Sequence, residues 1–187
     1  LLKAKHKKLK NKSMKTATAK QIQDWKKQYG NIYQLTAEDG KSCIIKDPLG
    51  DMNVMKMAAE EMKKGLPFYL ECIVSQCWLD GDEELMKDEA YLTGMEEQLD
   101  QITQVPHCEV TPNETGYALT CKGLTIQLRK AMREDLLKAQ RKNAANKPYM
   151  TNIYLLRLIA SEADADAAEK DTQTLFGILS ALEQVKN

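Results

Sequence analysis

Apolar and polar positions alternate at Ile32, Tyr33 and Leu35, and again through Cys43-Ile44-Ile45-Lys46, with Asp39-Gly40 between them. Period-two patterning on both sides of a turn dipeptide that tolerates positive φ predicts a β-hairpin. After Pro48 and Gly50 the period changes to that of a helix. Asp51 or Asn53 can cap a helix carrying Met52, Met55, Ala58, Ala59 and Met62, which Gly65-Leu66-Pro67 ends. A further helix runs through Tyr69, Cys72, Ile73, Gln76 and Cys77, and a last one carries Leu92, Met95, Leu99 and Ile102 on one face.

The same order of patterns recurs downstream. Tyr117-Ala118-Leu119-Thr120 and Thr125-Ile126-Gln127-Leu128-Arg129 predict a second hairpin. Helices are predicted over about 133–145 and 151–161, and after an acidic Ala/Asp stretch a final helix buries Leu175, Ile178, Leu179, Leu182 and Val185. A constant shift of 83 places Lys46 on Arg129, Cys72 on Leu155, Ile73 on Leu156, Asp88 on Asp171, Leu92 on Leu175, Met95 on Ile178 and Leu99 on Leu182. The first strand needs a slip of one residue. So long a period points to two copies of one small domain, not to a solenoid. The expected fold is α+β and helix-rich, with two similar repeats, each a β-hairpin followed by about three α-helices. The expected division is a basic leader over 1–18, a first repeat over 19–105 and a second over 106–187, joined through a Pro-containing linker over 103–116.

Ahead of the first hairpin, Thr18-Ala19-Lys20-Gln21 has the form of a capping box, and Ile22, Trp25 and Tyr29 share one helical face. A short helix is expected to end at Gly30. Trp25 either packs on the first repeat or anchors a partner.

Charge sharpens this division. The chain of 187 residues has no net charge, yet residues 1–27 hold ten lysines against one aspartate, and 28–105 hold six lysines against sixteen acids. Opposite fields on leader and first repeat allow the leader to fold back or to meet another acidic partner. The lysine-rich leader lacks the arginines and interleaved aromatics of a nucleic-acid-binding segment, so nucleic acid is not the expected partner. Aromatic residues make up 6% of the chain, so its cores rest on Leu, Ile, Met and Ala. No apolar run reaches the roughly 20 residues of a membrane span, and no signal-peptide core follows Leu1-Leu2; the expectation is a soluble, intracellular protein. Five cysteines without regular spacing fit buried thiols in a reducing compartment better than a disulfide framework.

Chemistry-bearing motifs are sparse. Asp80, Asp82 and Glu84 copy the start of a calcium loop, but Leu85 stands where the turn glycine belongs and Tyr91 where the closing glutamate belongs. His107, Cys108 and Cys121 offer three zinc ligands without the usual spacing. No phosphate loop, dinucleotide fingerprint or nucleophile elbow occurs, so neither catalysis nor a cofactor or metal is expected.

The run Trp25-Lys26-Lys27-Gln28-Tyr29-Gly30-Asn31-Ile32-Tyr33, then Gly40-Lys41-Ser42-Cys43-Ile44-Ile45-Lys46-Asp47-Pro48, and later Cys77-Trp78-Leu79-Asp80-Gly81-Asp82-Glu83-Glu84, resembles small proteins of tailed bacteriophages and prophages related to tail assembly chaperones. The second copy, with Ile126-Gln127-Leu128-Arg129 and Arg133-Glu134-Asp135, is similar in layout. The resemblance implies a non-enzymatic assembly factor in the host cytoplasm that binds the tape-measure protein, keeps that long chain soluble and helps recruit tail-tube proteins. Alternatives are a structural virion component of neck, tail or capsid, and a nucleic-acid-binding accessory using the leader; a homo-oligomer is compatible with each. The expected partner contacts are Trp25, Met52, Met55, Met62 and Trp78, since Met-rich faces adapt to varied partners although they also fill cores.

Overall fold

The structure, a computed structural model, describes residues 17–185; nearly all of the expected basic leader, and with it the nucleic-acid reading, lies outside the described residues. Helix α1 (Ala19–Tyr29) begins with the predicted capping box: the Thr18 amide donates to Gln21 Oε1 at 2.9 Å and the Gln21 amide donates to Thr18 Oγ1. Gly30, at φ 76°, ends it, a conformation that costs a residue without Cβ little. No α1 residue is buried, and Trp25 is half-covered.

The alternating segment forms strands β1 (Ile32–Thr36) and β2 (Ser42–Lys46), paired antiparallel from Ile32–Lys46 to Thr36–Ser42. Leu35, Cys43 and Ile45 point into the core. Helix α2 (Met52–Glu61) is capped by Asp51, and α3 (Leu66–Cys77) starts after Gly65 with Pro67 in its first turn, where a missing N–H costs nothing. The chain then returns to the sheet as β3 (Trp78–Gly81), antiparallel to β2. Two short helices, α4 (Glu89–Gly94) and α5 (Glu96–Thr103), close the half, with buried Met95 at the break between them.

The second half opens with β4 (Glu109–Pro112), followed by β5 (Gly116–Cys121) and β6 (Leu124–Arg129), in spatial order β4-β5-β6. Helices α6 (Arg133–Lys142), α7 (Met150–Ile159), α8 (Glu162–Glu169) and α9 (Thr172–Val185) cover it. The fold is therefore helix-rich α+β with two three-stranded antiparallel sheets among the described residues. Each expected hairpin has gained a strand. In the first half β3 extends it, and in the second β4 emerges from what the pattern reads as linker.

The two halves resemble each other in element order and in several core positions. Ile73 and Leu156, Leu92 and Leu175, Met95 and Ile178, and Leu99 and Leu182 are buried alike. Polar positions agree as well. Lys46 reaches the Asp51 carboxylate at 3.1 Å, while Arg129 donates twice to Asp135, at 2.7 and 2.8 Å; both pairs join the end of a hairpin to the start of the next helix. Asp88 caps α4 and Asp171 accepts from the Thr174 amide at the start of α9. The pairing of β3 with β2 at Ile45–Trp78 has a remnant in an isolated bridge, Leu128–Ala160. Other sites diverge: buried Val54 corresponds to exposed Leu137, and buried Val74 to exposed Arg157. The likeness is thus one of layout, looser at the level of side chains.

The Arg129 guanidinium holds the Asp135 carboxyl down at about 2, with the Met132 amide helping. Because the unfolded chain then binds more protons, this stabilisation is complete above the ordinary value of 3.8 and is lost as pH falls toward about 2. Thermal unfolding followed from about pH 5 to about pH 2 should show a falling midpoint, and Arg129→Gln should flatten that fall.

Between the halves, Leu49 and Met55 pack on Phe176 of α9, with Met52, Val105 and Tyr149 around them. The Gln173 amide donates to the buried Asp47 carboxylate at 2.5 Å. The segment linking the first hairpin to its helix pair is therefore buried against the other half, and this seam joins the two cores.

Candidate functional site

Helix α2 turns Val54, Met55 and Ala58 inward, which leaves Met57 on its outer side; Pro67 starts α3 so that Phe68 also faces out. Met57 is 42% exposed, Met62 44% and Phe68 47%; Met132, Leu137 and Leu158 are exposed at α6 and α7 of the second half, but Met57 and Phe68 share one groove. Between α2 and α3 lies a groove of about 370 Å³ lined by Met57, Phe68 and Cys72 and edged by Glu60, Glu61 and Glu71. Lys63 and Lys64 reach Glu60 and Glu61 at 2.6 and 2.7 Å, exposed pairs of at most ~1 kcal/mol that a partner can rearrange. An apolar floor with an acidic edge suits a helix whose apolar stripe is flanked by cations.

A second depression, of about 640 Å³, opens at the seam. Met55, Tyr69, Val105, Tyr149, Phe176 and Leu179 supply its apolar lining, and the Tyr149 and Phe176 rings meet edge to face with centroids 5.0 Å apart.

The expected contact residues are spread over several places. Met62 stands exposed at the end of α2, while Met52 is partly buried against the second half's core and Met55 is buried in the seam. Trp78 packs against the first core from β3, and Trp25 lies on α1. Met57 and Phe68, the exposed large apolar residues of the groove, were not indicated by the pattern, which marks the buried side of a helix. The one available signal is Phe68 beside a helix-starting proline.

The ionisable clusters tie elements together. Lys41 donates to Asp39 and, at 2.6 Å, to the Tyr91 hydroxyl, which donates to Asp39 at 2.8 Å. The bonds from Lys41 and Tyr91 hold the Asp39 carboxyl at about 2, and Asp39 in turn raises Lys41, so the ammonium keeps its proton and pins the first hairpin turn to α4. Burial pushes the Cys43 and Cys77 thiols up to about 12 and raises Cys108. Cys108 and Cys121 lie together beneath Gly177, whereas His107 is exposed; among the described residues no group of three or more His, Cys, Asp or Glu could hold a metal ion.

Cys72 is the one cysteine that is not fully buried. A neutral thiol reagent should therefore label one cysteine in the native protein and all five after denaturation, with mass spectrometry placing the native label at Cys72. Native labelling of Cys43 or Cys121 would contradict the described packing.

No helix among the described residues is long and apolar enough to cross a membrane. In comparison with known proteins, the chain matches no family model, and no curated protein or solved structure is significantly similar to it.

Proposed function

We propose that the protein is a non-enzymatic tail assembly chaperone of a tailed bacteriophage, acting in the bacterial cytoplasm on the tape-measure protein and assisting tail-tube assembly. The observation that carries the reading is the groove between α2 and α3. A folded chain that keeps Met57 and Phe68 in water beside an acidic edge gives up apolar burial, which a partner's apolar stripe restores at roughly 25 cal/mol per Å². Methionine and a half-exposed aromatic ring can adapt to a series of different helical segments, as a long client requires. The excess of acids over lysines in residues 28–105 would keep such a complex soluble. The resemblance of the segments around Trp25, Ile44 and Trp78 to this family supplies the choice of client.

The test is an affinity pull-down from infected or induced cells, combined with mass spectrometry of purified particles. A chaperone should retain a long helical client and be absent from the particle. Presence in purified particles at fixed copy number would instead identify a structural component.

A further inference from the structure

The depression at the seam shares the α2–α3 segment with the groove through Met55, Lys63 and Tyr69, but opens on different residues and takes its other walls from the second half. Its size lies in the range of sites for small molecules or single bulky side chains. One wall is the loop between α6 and α7, held rigid from beneath by Asn143. That side chain donates to the Lys147 carbonyl at 2.9 Å and to Thr151 Oγ1 at 3.0 Å, and accepts from the Lys147 amide at 3.0 Å.

The loop holds two residues in the left-handed region, Asn146 at φ 48° and Tyr149 at φ 63°. Asparagine adopts that region readily; a tyrosine there is strained, and such strain persists where its surroundings impose it, commonly at binding sites. The result is a tyrosine ring set against Phe176 at the bottom of an open cleft. Around these rings the lining is polar: Asn146, Thr151 and Ser180, one lysine from each half, Lys63 and Lys147, and one carboxylate, Glu183, which accepts from the Asn152 amide at 2.5 Å. Lys63 also pairs with Glu60, whereas Lys147 is in no salt bridge among the described residues and shares the cleft with the carboxylate of Glu183.

We propose that this cleft binds an aromatic carboxylate, its flat apolar body against Tyr69, Tyr149 and Phe176 and its carboxylate beside Lys147. A free aromatic acid and the carboxyl end of a polypeptide closing on an aromatic residue present the same chemistry. The inference does not depend on the chaperone reading, which concerns the α2–α3 groove.

The test titrates the full chain with N-acetyl-L-tryptophan and with its uncharged amide by calorimetry, in the wild type and in two surface variants whose thermal midpoints confirm folding. Ser180→Trp fills the cleft from an exposed position on α9; Lys147→Glu reverses the rim charge. The expected result is saturable binding of the acid, roughly fivefold weaker binding of the amide, loss of that preference in Lys147→Glu and loss of both ligands in Ser180→Trp. A decapeptide ending in tryptophan separates the sources: tighter binding than N-acetyltryptophan assigns a chain terminus, equal binding a free acid. Equal affinity for acid and amide in the wild type, unchanged binding in Ser180→Trp, or no saturable binding of the acid would overturn the proposal.

Discussion

Gly177→Ala should destabilise the protein by about 1–3 kcal/mol, and Gly177→Val should do more, whereas Gly94→Ala should stabilise it by about 0.5–1 kcal/mol. The two glycines correspond under the shift of 83, yet their surroundings differ. A Cβ on Gly177 would lie 2.6 Å from Cys121 Sγ, 2.7 Å from the Pro106 carbonyl oxygen and 3.0 Å from Cys108 Sγ. Two of these neighbours are buried side chains in the second core and the third is backbone, so none can yield without moving α9 away from β5. The helical gain of replacing glycine, about 1 kcal/mol, is smaller than that cost. At Gly94 nothing lies within 4 Å and φ is not positive, so only the gain remains. Urea denaturation of the three variants reads both signs. A stabilised Gly177→Ala would mean that α9 does not rest on the cysteine pair.

The second large effect is expected from truncating the corresponding core positions Ile73 and Leu156. Each side chain is fully buried in the middle of its half, Ile73 on α3 and Leu156 on α7. Ile73→Ala and Leu156→Ala should each cost about 2–5 kcal/mol, the sum of lost transfer energy and an unfilled cavity. The seam makes a further prediction. Because Phe176 is buried by Leu49 and Met55 of the other half, loss of one core exposes apolar surface of both. Either variant should therefore move a single unfolding transition, seen alike by Trp fluorescence of the first half and far-UV circular dichroism of the whole. Two transitions, only one of which moves, would show that the halves fold independently.

Local signals with a stereochemical cause were legible in the sequence. The Thr18–Gln21 capping box, the Asp39-Gly40 turn with Gly40 at φ 85°, and the stripe Leu175, Ile178, Leu179 and Leu182 all appear as expected. Elements without such a signal were lost. Trp78–Gly81 is too short to show a period and contains an Asp-Gly pair that reads as a turn, so β3 is recognisable only by its partner β2. Strand β4 has one partly covered residue, Val110, and carries Pro112, which an edge strand tolerates and a central one does not. Helix α8 buries only Ala165 and Ala168, which leave no stripe of large apolar residues, although Ser161 caps it through the Asp164 amide. The continuous apolar face through Leu92, Met95 and Leu99 conceals the break at Met95.

The candidate site was less legible for a related reason. Periodicity identifies what a helix buries, and it picked out Met52 and Met55, which the fold uses to join its halves. Exposure of Met57 and Phe68 depends on how α2 packs against α3, information spread over both helices. Likewise the Asn146-Lys147-Pro148 run marks a break between helices, but not that Asn143 holds it or that Tyr149 enters the left-handed region.

Cross-linking to the proposed tape-measure client tests the central claim most directly, using an amine-reactive reagent and mass spectrometry. Binding in the α2–α3 groove predicts links from Lys56, Lys63 and Lys64 to helical segments of the client, and their loss, with no fall in thermal midpoint, in the double variant Met57→Glu, Phe68→Glu. Links confined to Lys138 and Lys142 on α6, or a client held equally well by the double variant, would contradict the account.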